Sequence, residues 1–340
     1  MTNVTTQKNR MLAALAASVA LVVLAASPGA SDAETTNRIV GGAPIPITSA
    51  AWQVAILDGN TLGPGRQLYC GGSLIRPRVV LTAAHCVLAP SPYATHDGSD
   101  DVVLAGATDW TDQAQGFEDR IAAFFVNPGY NGLPGSGDAA ILILDNPVPS
   151  AYATPIKLAG PDEGPLWRAG KRATVSGYGS SSEGGPSSRV LKSATIPILK
   201  DSYCNSVYPG IFSASTLVCA GFTGGGTDAC QGDSGGPLTV HARGGDGGFV
   251  RQVGIVSFGA GCARANAPGA YARVGANPLR AFVQAAVNGG PDPGDVIGNG
   301  GVCAGFKGLR LRLCKCDKKP KKARVRCRRK VKAQARKGRA

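Results

Sequence analysis

From Ile39 to Asn288 the chain is a succession of short apolar runs separated by turns rich in glycine and proline. Many short runs with such turns favour an all-β sandwich or barrel. The 48 glycines and 23 prolines make up about a fifth of the 340 residues, below the roughly 25–30% typical of low-complexity chains. One longer segment, Pro278 to Val287, has helical periodicity, so a helix is predicted at the end of the β-rich part.

The N-terminal part has the pattern of an export signal. Lys8 and Arg10 precede a charge-free apolar run from Met11 to Ala26, and small residues follow up to Ala33. The run is shorter than the roughly 20 residues that a membrane-spanning helix needs. The domain organisation expected from these patterns is a signal peptide over 1–33, a short propeptide over 34–38, a globular domain over 39–288, a Gly/Pro linker over 289–301 and a basic tail over 302–340.

The positive charge of the chain is concentrated in the tail. Residues 302–340 contain 17 lysines and arginines and one acid, whereas the other residues include 19 basic and 21 acidic side chains. A nearly neutral body is not expected to be a polyanion-binding domain, but the tail is expected to attract polyanions.

The tail also contains cysteines, and export places all ten cysteines of the chain in an oxidising compartment. Two alternating runs, Leu309–Cys316 and Ala323–Arg328, flank a turn at Asp317–Pro320 and favour a small hairpin. Two disulfides among Cys303, Cys314, Cys316 and Cys327 would hold it, with three connectivities open. A metal site is less favoured because the tail has no histidine. After Cys327 a solvated, disordered extension is an equal alternative.

Three separated motifs contain residues suited to nucleophilic catalysis. His85 follows an apolar strand, Asp138 precedes one, and Ser234 lies among glycines in Gly-Asp-Ser-Gly-Gly. Each has an ordinary explanation when taken alone: a buried histidine, an acid at a strand edge and a glycine turn. Their occurrence together and in this order, in an exported β-rich chain, outweighs these separate explanations.

In this order, the motifs Leu81–Cys86, Gly137–Leu144 and Asp228–Pro237 resemble those of the trypsin-like, chymotrypsin-fold serine proteases, and in particular the trypsins. The resemblance covers Ile39 to Asn288 and implies two antiparallel six-stranded β-barrels followed by a C-terminal helix. It implies that Ser234 is the nucleophile, His85 the general base and then acid, and Asp138 the group that orients the imidazole. The backbone N–H groups of Gly232 and Ser234 would form the oxyanion hole.

The resemblance also implies an activation site. Ile39-Val40-Gly41-Gly42 follows Arg38, as at the cleavage site of the family's precursors. Cleavage after Arg38 would free the amine of Ile39 to pair with Asp233. A buried Asp233 without a cationic partner would be costly, so one cut would order the substrate pocket and the oxyanion loop.

Substrate specificity is read from the same family positions. Asp228 matches the acid at the base of the trypsin primary pocket, and Gly259 and Gly269 match its open walls. Ser257 lies in the strand segment that pairs with the substrate backbone. Its hydroxyl would hydrogen-bond Asp138. Cleavage after arginine and lysine is expected. Ala229 replaces a hydroxyl common in trypsins, and a carboxylate alone suits a planar guanidinium better than an ammonium, so arginine should be preferred.

The disulfides and cofactors follow from the family as well. Six core cysteines allow 15 pairings on arithmetic alone, and the family positions imply the pairs Cys70–Cys86, Cys204–Cys219 and Cys230–Cys262. No metal or other cofactor is predicted. In the stretch where some trypsins bind calcium, Ala107 stands at a usually acidic position, although Asp112 and Glu118 are present.

The expected function is that of a secreted, monomeric serine endopeptidase, made as a zymogen, that acts outside the cell on protein and peptide substrates. The alternative is a catalytically silent member of the fold that serves as a binding module, with the cationic tail attached to polyanions. Such relatives usually lack the serine or the histidine, and here both are present together with Gly232 and Asp228. The sequence therefore favours the enzyme.

Overall fold

The computed structural model describes residues 39–59, 66–88, 101–242 and 248–288. The predicted signal peptide, propeptide, linker and tail lie outside these residues. The strands are β1 Ala43–Pro44, β2 Gln53–Leu57, β3 Leu68–Arg76, β4 Val79–Thr82, β5 Val102–Ala105, β6 Phe117–Val126, β7 Ala140–Leu144, β8 Arg172–Gly177, β9 Lys192–Pro197, β10 Leu217–Ala220, β11 Pro237–Ala242, β12 Phe249–Phe258 and β13 Gly269–Arg273. The α-helices are α1 Ala84–Leu88, α2 Asp201–Val207 and α3 Asn277–Asn288; short 3-10 helices cover Ile47–Ala50, Gln113–Gln115 and Pro161–Trp167.

The first barrel is closed and has the strand order β2-β3-β4-β7-β6-β5. Successive residues of a strand point to opposite faces, and in β2 both faces are buried. Val54 and Ile56 pack in the main core, whereas Ala55 and Leu57 join a second buried cluster. This explains why the strand lacks an apolar–polar alternation.

The second sheet has the order β1-β9-β8-β11-β12-β13-β10. A bridge between Ile198 and Ala220, flanked by a backbone hydrogen bond from Leu199 to Cys219 of 2.8 Å, joins the end of β9 to β10. Six strands are thereby brought round into a second barrel, and the two-residue β1 pairs with the start of β9. The predicted all-β fold with two barrels is confirmed, and β1 is an addition that the sequence did not indicate.

Two hydrogen bonds join the barrels through buried glutamines. Ser176 of β8 donates from Oγ to Gln53 Oε1 of β2 at 2.8 Å. In the reverse direction, Ser73 of β3 donates from Oγ to Gln252 Oε1 of β12 at 2.7 Å. All four residues are buried. Each barrel therefore supplies the donor that a buried amide oxygen of the other barrel requires.

The predicted C-terminal helix is present and extends one residue further at each end, as α3. Pro278 lies in its first turn, where the missing N–H is not needed. Leu279 and Val283 of this helix are buried against the core. Within the described residues, no helix is both long enough and apolar enough to cross a lipid bilayer.

Candidate active site

The antiparallel pairing of β4 with β7 brings His85 and Asp138 together. Thr82 at the end of β4 lies opposite Ala140 at the start of β7, so the residues just after β4 and just before β7 are neighbours. His85 Nδ1 lies 2.7 Å from Asp138 Oδ2. The backbone N–H of His85 donates to Asp138 Oδ1 at 3.0 Å. Two contacts therefore hold the carboxylate against the imidazole.

A third donor reaches the same carboxylate from the second barrel. Ser257, at the end of β12, donates from Oγ to Asp138 Oδ2 at 2.6 Å. Burial raises the pKa of Asp138, but the hydrogen bonds from His85 and Ser257 outweigh that effect and bring the pKa below its usual value. The side chain of Asp138 is only 4% exposed, whereas that of His85 is 26% exposed. A charged acid thus lies behind a histidine that is accessible to solvent.

Backbone hydrogen bonds hold Ser234 near His85 and Asp138. The carbonyl of Ser234 accepts the N–H of Gly71 in β3 at 2.8 Å, and the next residue, Gly235, donates to Val256 at 2.9 Å. Gly235 has a φ of +79°, and a Cβ there would lie 2.1 Å from the hydroxyl of Thr82. Only glycine fits, and the serine lies beside the strand that leads to His85. The Ser234 side chain is partly exposed and makes no hydrogen bond to His85 or to any other described residue.

The loop before Ser234 leaves two backbone donors free. Gly232 has a φ of +93°, and the N–H groups of Gly232 and Ser234 donate to no acceptor within the described part of the chain. Asp233 between them is fully buried. Its Oδ1 accepts the N–H of Gly179 at 2.8 Å and its Oδ2 that of Cys230 at 2.9 Å. The acid therefore anchors the loop from inside while two donors stay available to a ligand.

The surroundings of Asp233 leave its charge only partly compensated. Burial raises its pKa to about 6, although the N–H groups of Cys230 and Gly179 and the positive charge of Lys192 act against that rise. Ile39 is also fully buried. Beside it, the N–H of Asp228 donates to the carbonyl of Val40 at 3.1 Å. Arg38, the predicted cleavage residue, lies outside the described residues.

A cavity of about 130 Å³ opens next to Ser234. The predicted pocket residues all line it: Asp228, Ser257, Gly259 and Gly269. Asp228 is 2% exposed. Its carboxylate accepts the N–H groups of Ala229 at 2.8 Å and Ala263 at 3.3 Å. Burial nevertheless raises its pKa to about 7.

The walls of the cavity are bare of side chains where the two glycines face each other. A Cβ on Gly259 would lie 3.9 Å from the Cα of Gly269, and a Cβ on Gly269 would lie 3.0 Å from Asp228 Oδ1. The cavity is thus a slot between glycine walls, with a buried carboxylate in its lining.

The disulfides join the six core cysteines in the pairs Cys70–Cys86, Cys204–Cys219 and Cys230–Cys262. The third of these lines the cavity.

The family model described as Trypsin matches residues 39–279. The chain belongs to the trypsin family. Among its relatives, a protein named Trypsin from Saccharopolyspora erythraea is 36% identical over 238 residues, which are 70% of this chain and 94% of that protein. A Trypsin from Simulium vittatum is 36% identical over 257 residues, or 74% and 95% of the two chains, and Trypsin eta from Drosophila erecta is 34% identical over 249 residues, or 72% and 89%. The protein is therefore a serine endopeptidase, a hydrolase of peptide bonds.

One residue of this trypsin-family pocket was not indicated by the sequence. The hydroxyl of Tyr271 is buried and has no hydrogen-bond partner among the described residues. A Cβ on Gly269 would lie 3.0 Å from this hydroxyl, the same distance as from Asp228 Oδ1. A tyrosine in a β-strand is ordinary, so no sequence signal distinguished it from a packing residue. It adds an unpaired hydroxyl near the carboxylate.

The residues in the stretch where some trypsins hold calcium do not fit that ion here. The carbonyl of Ala107 accepts the hydroxyl of Tyr178 at 2.5 Å. The carboxylate of Glu118 is paired with the guanidinium of Arg66, and that of Asp112 caps a turn by accepting the N–H of Ala114 at 3.1 Å. Each oxygen group already has a partner from the protein, whereas calcium needs six to eight oxygen ligands.

Proposed function

We propose that the protein is a secreted trypsin-like endopeptidase, made as a zymogen, that cleaves peptide bonds after arginine and, less readily, after lysine. The observation that carries this proposal is the buried carboxylate of Asp228 in a cavity that Ser234 also lines. A long cationic side chain in this slot would bring the following peptide bond to Ser234. No feature of the described residues favours the silent binding module.

In the proposed mechanism, His85 takes the proton of Ser234 as the hydroxyl attacks the substrate carbonyl. The tetrahedral oxyanion would be stabilised by the N–H groups of Gly232 and Ser234, a contribution of roughly 10²–10³ in rate per donor. His85 then protonates the leaving amine, and water hydrolyses the acyl-enzyme by the same steps in reverse. Asp138 would hold the imidazole in one tautomer and stabilise its charged form.

The preference for arginine follows from the groups around Asp228. Its two oxygens already accept the N–H groups of Ala229 and Ala263, and Ala229 supplies no hydroxyl. A guanidinium presents two parallel N–H groups to a carboxylate, whereas an ammonium is a strongly hydrated point charge that benefits from further acceptors. Lysine should therefore be accepted with lower efficiency.

The zymogen and secretion parts of the proposal rest on the N-terminal sequence together with the buried Ile39 and Asp233. Asp233 has two backbone donors but an incompletely compensated charge. An amine freed at Ile39 by cleavage after Arg38 would supply a cation inside the protein. The apolar run before Ala33 would direct export, and the mature enzyme would act as a monomer on extracellular proteins and peptides.

The test is hydrolysis of peptidyl amides by the matured enzyme. We expect kcat/KM to fall in the order arginyl, lysyl, phenylalanyl. Asp228→Ser should remove most activity on the arginyl substrate, because the guanidinium would be desolvated without a counter-charge. Asp112→Ser, which removes an exposed acid that does not line the cavity, is the matched control and should retain wild-type kcat/KM. A preference for phenylalanyl or alanyl amides would refute the proposal.

A further inference from the structure

A second cleft lies between the two barrels and α3. Its volume is about 480 Å³, within the range of small-molecule sites. It shares no lining residue with the cavity at Ser234. Buried Ile75 and Ile156, together with Val283 of α3, give it an apolar floor.

The edges of this cleft are strongly basic. Four basic residues and one acid line it: Arg76, Lys157, Arg251, Arg280 and Glu163. Arg251 is paired with Glu163, with 3.2 Å between Nε and Oε1. The other three basic side chains form no ion pair within the described part of the chain. Outside the tail the protein has slightly more acids than bases, so this concentration of positive charge is local.

Arg280, which lines the cleft, adds an unsatisfied donor. Its Nε is buried and has no hydrogen-bond partner among the described residues. A buried charged donor without an acceptor is unfavourable, because it has lost water without gaining a replacement. An oxyanion in the cleft would supply that acceptor and would also compensate the unpaired charges of Arg76 and Lys157.

We infer that this cleft binds an amphipathic organic anion, a carboxylate or sulfate group on a hydrocarbon chain of medium length. Guanidinium groups bind such oxyanions with paired, charge-assisted hydrogen bonds. The floor of Ile75, Ile156 and Val283 would cover the hydrocarbon part. Because β3, β12 and α3 all contribute lining residues, the ligand would contact both barrels and stabilise the folded state against unfolding.

The experiment uses full-length Ser234→Ala protein, which cannot digest itself, and four probes: octanoate, octyl sulfate, 1-octanol and inorganic sulfate. Binding is measured by calorimetry and by the shift of the thermal midpoint. We expect octanoate and octyl sulfate to bind and to raise the midpoint. We expect 1-octanol and inorganic sulfate to bind at least ten-fold more weakly, since each lacks one half of the recognised group.

Substitutions locate the site. Arg280→Gln should weaken octanoate binding at least ten-fold, and the exposed Lys157→Gln should weaken it several-fold without affecting folding. Arg120→Gln removes an exposed charge from β6 of the first barrel, which does not line the cleft, and should leave the affinity unchanged. Binding to the basic tail would persist in all three variants. The inference is overturned if no probe binds, if 1-octanol binds as tightly as octanoate, or if Lys157→Gln and Arg280→Gln both keep the affinity.

Discussion

The three buried acids around the site differ in what surrounds them. Asp138 lies against an imidazole and a hydroxyl, and its pKa is lowered despite burial. Asp228 and Asp233 have backbone donors but no ion pair among the described residues, and burial raises their pKa to about 7 and about 6. Between roughly pH 4 and those values, the folded protein holds protons that the unfolded chain has released. These two acids therefore reduce stability as the pH rises through that range.

The raised pKa of Asp228 predicts how ligand binding depends on pH. An amidinium such as benzamidine binds the charged carboxylate, so its affinity should be full above about pH 7 and should fall by up to roughly ten-fold per pH unit below that value. Calorimetry on matured Ser234→Ala protein from pH 8 to pH 5 measures this. Asp228→Ser should bind weakly at every pH. An affinity that stays constant from pH 8 to pH 5 would contradict the assignment.

The proposed nucleophile and base act as a unit, which predicts non-additive effects. Ser234→Ala and His85→Ala should each abolish nearly all amidase activity, and the double variant should be no worse than either single one. Single-turnover and steady-state rates on an arginyl amide measure this, with correct disulfide bonding as the control for folding. Near wild-type turnover in Ser234→Ala would show that another residue is the nucleophile.

At the level of elements, the segment that begins at Ile39 governs the predicted activation. Arg38→Gln precursor should remain inactive after trypsin treatment, whereas wild-type precursor should gain activity. Matured enzyme should lose activity at high pH, because pairing with Asp233 raises the pKa of the Ile39 amine above its usual value of about 8. The stabilisation is present below that value and is lost as the pH rises through the folded-state pKa. Full activity of uncleaved Arg38→Gln protein would contradict the scheme.

The serine–glutamine contacts between barrels predict a stability effect far from the active site. Ser176→Ala leaves Gln53 Oε1 buried without its donor and should cost roughly 1–3 kcal/mol of unfolding free energy. Ser73→Ala should act similarly on Gln252. Urea unfolding in the Ser234→Ala background measures both, with the exposed Ser182→Ala as the neutral control. Equal stability of all three variants would show that these hydrogen bonds contribute nothing.

The sequence predicted elements whose signals are local. Apolar periodicity located α3 to within one residue at each end, and the motifs around His85, Asp138 and Ser234 marked residues that the fold brings to one edge of the two barrels. It did not indicate the Ser176–Gln53 and Ser73–Gln252 contacts, whose partners are 123 and 179 residues apart. Nor did it indicate Tyr271, because a hydroxyl that lacks a partner is visible only when its surroundings are known.

At the scale of the whole molecule, charge divides the chain into a nearly neutral body and a tail of 39 residues with a formal charge of +16. Deleting 302–340 should reduce retention on a heparin column, and retention of the full chain should weaken steeply with salt.

The many basic residues of the tail are also expected to be sites of self-cleavage. Mass spectrometry should find cuts after Cys327 in active enzyme and an intact tail in Ser234→Ala protein. Unchanged retention on deletion, or an equally long-lived tail in both, would refute this.

The exchange of donors between barrels also limits how the two halves can be recombined. If the second barrel comes from a relative with an apolar residue at the position of Ser176, Gln53 of the first barrel loses its hydrogen-bond donor. If the first barrel comes from a relative with an apolar residue at the position of Ser73, Gln252 of the second barrel loses its donor. Each pair must therefore be inherited or replaced jointly. In a chimera, the part of this protein that can be exchanged without loss of a buried hydrogen bond is the pair of barrels and not the single barrel.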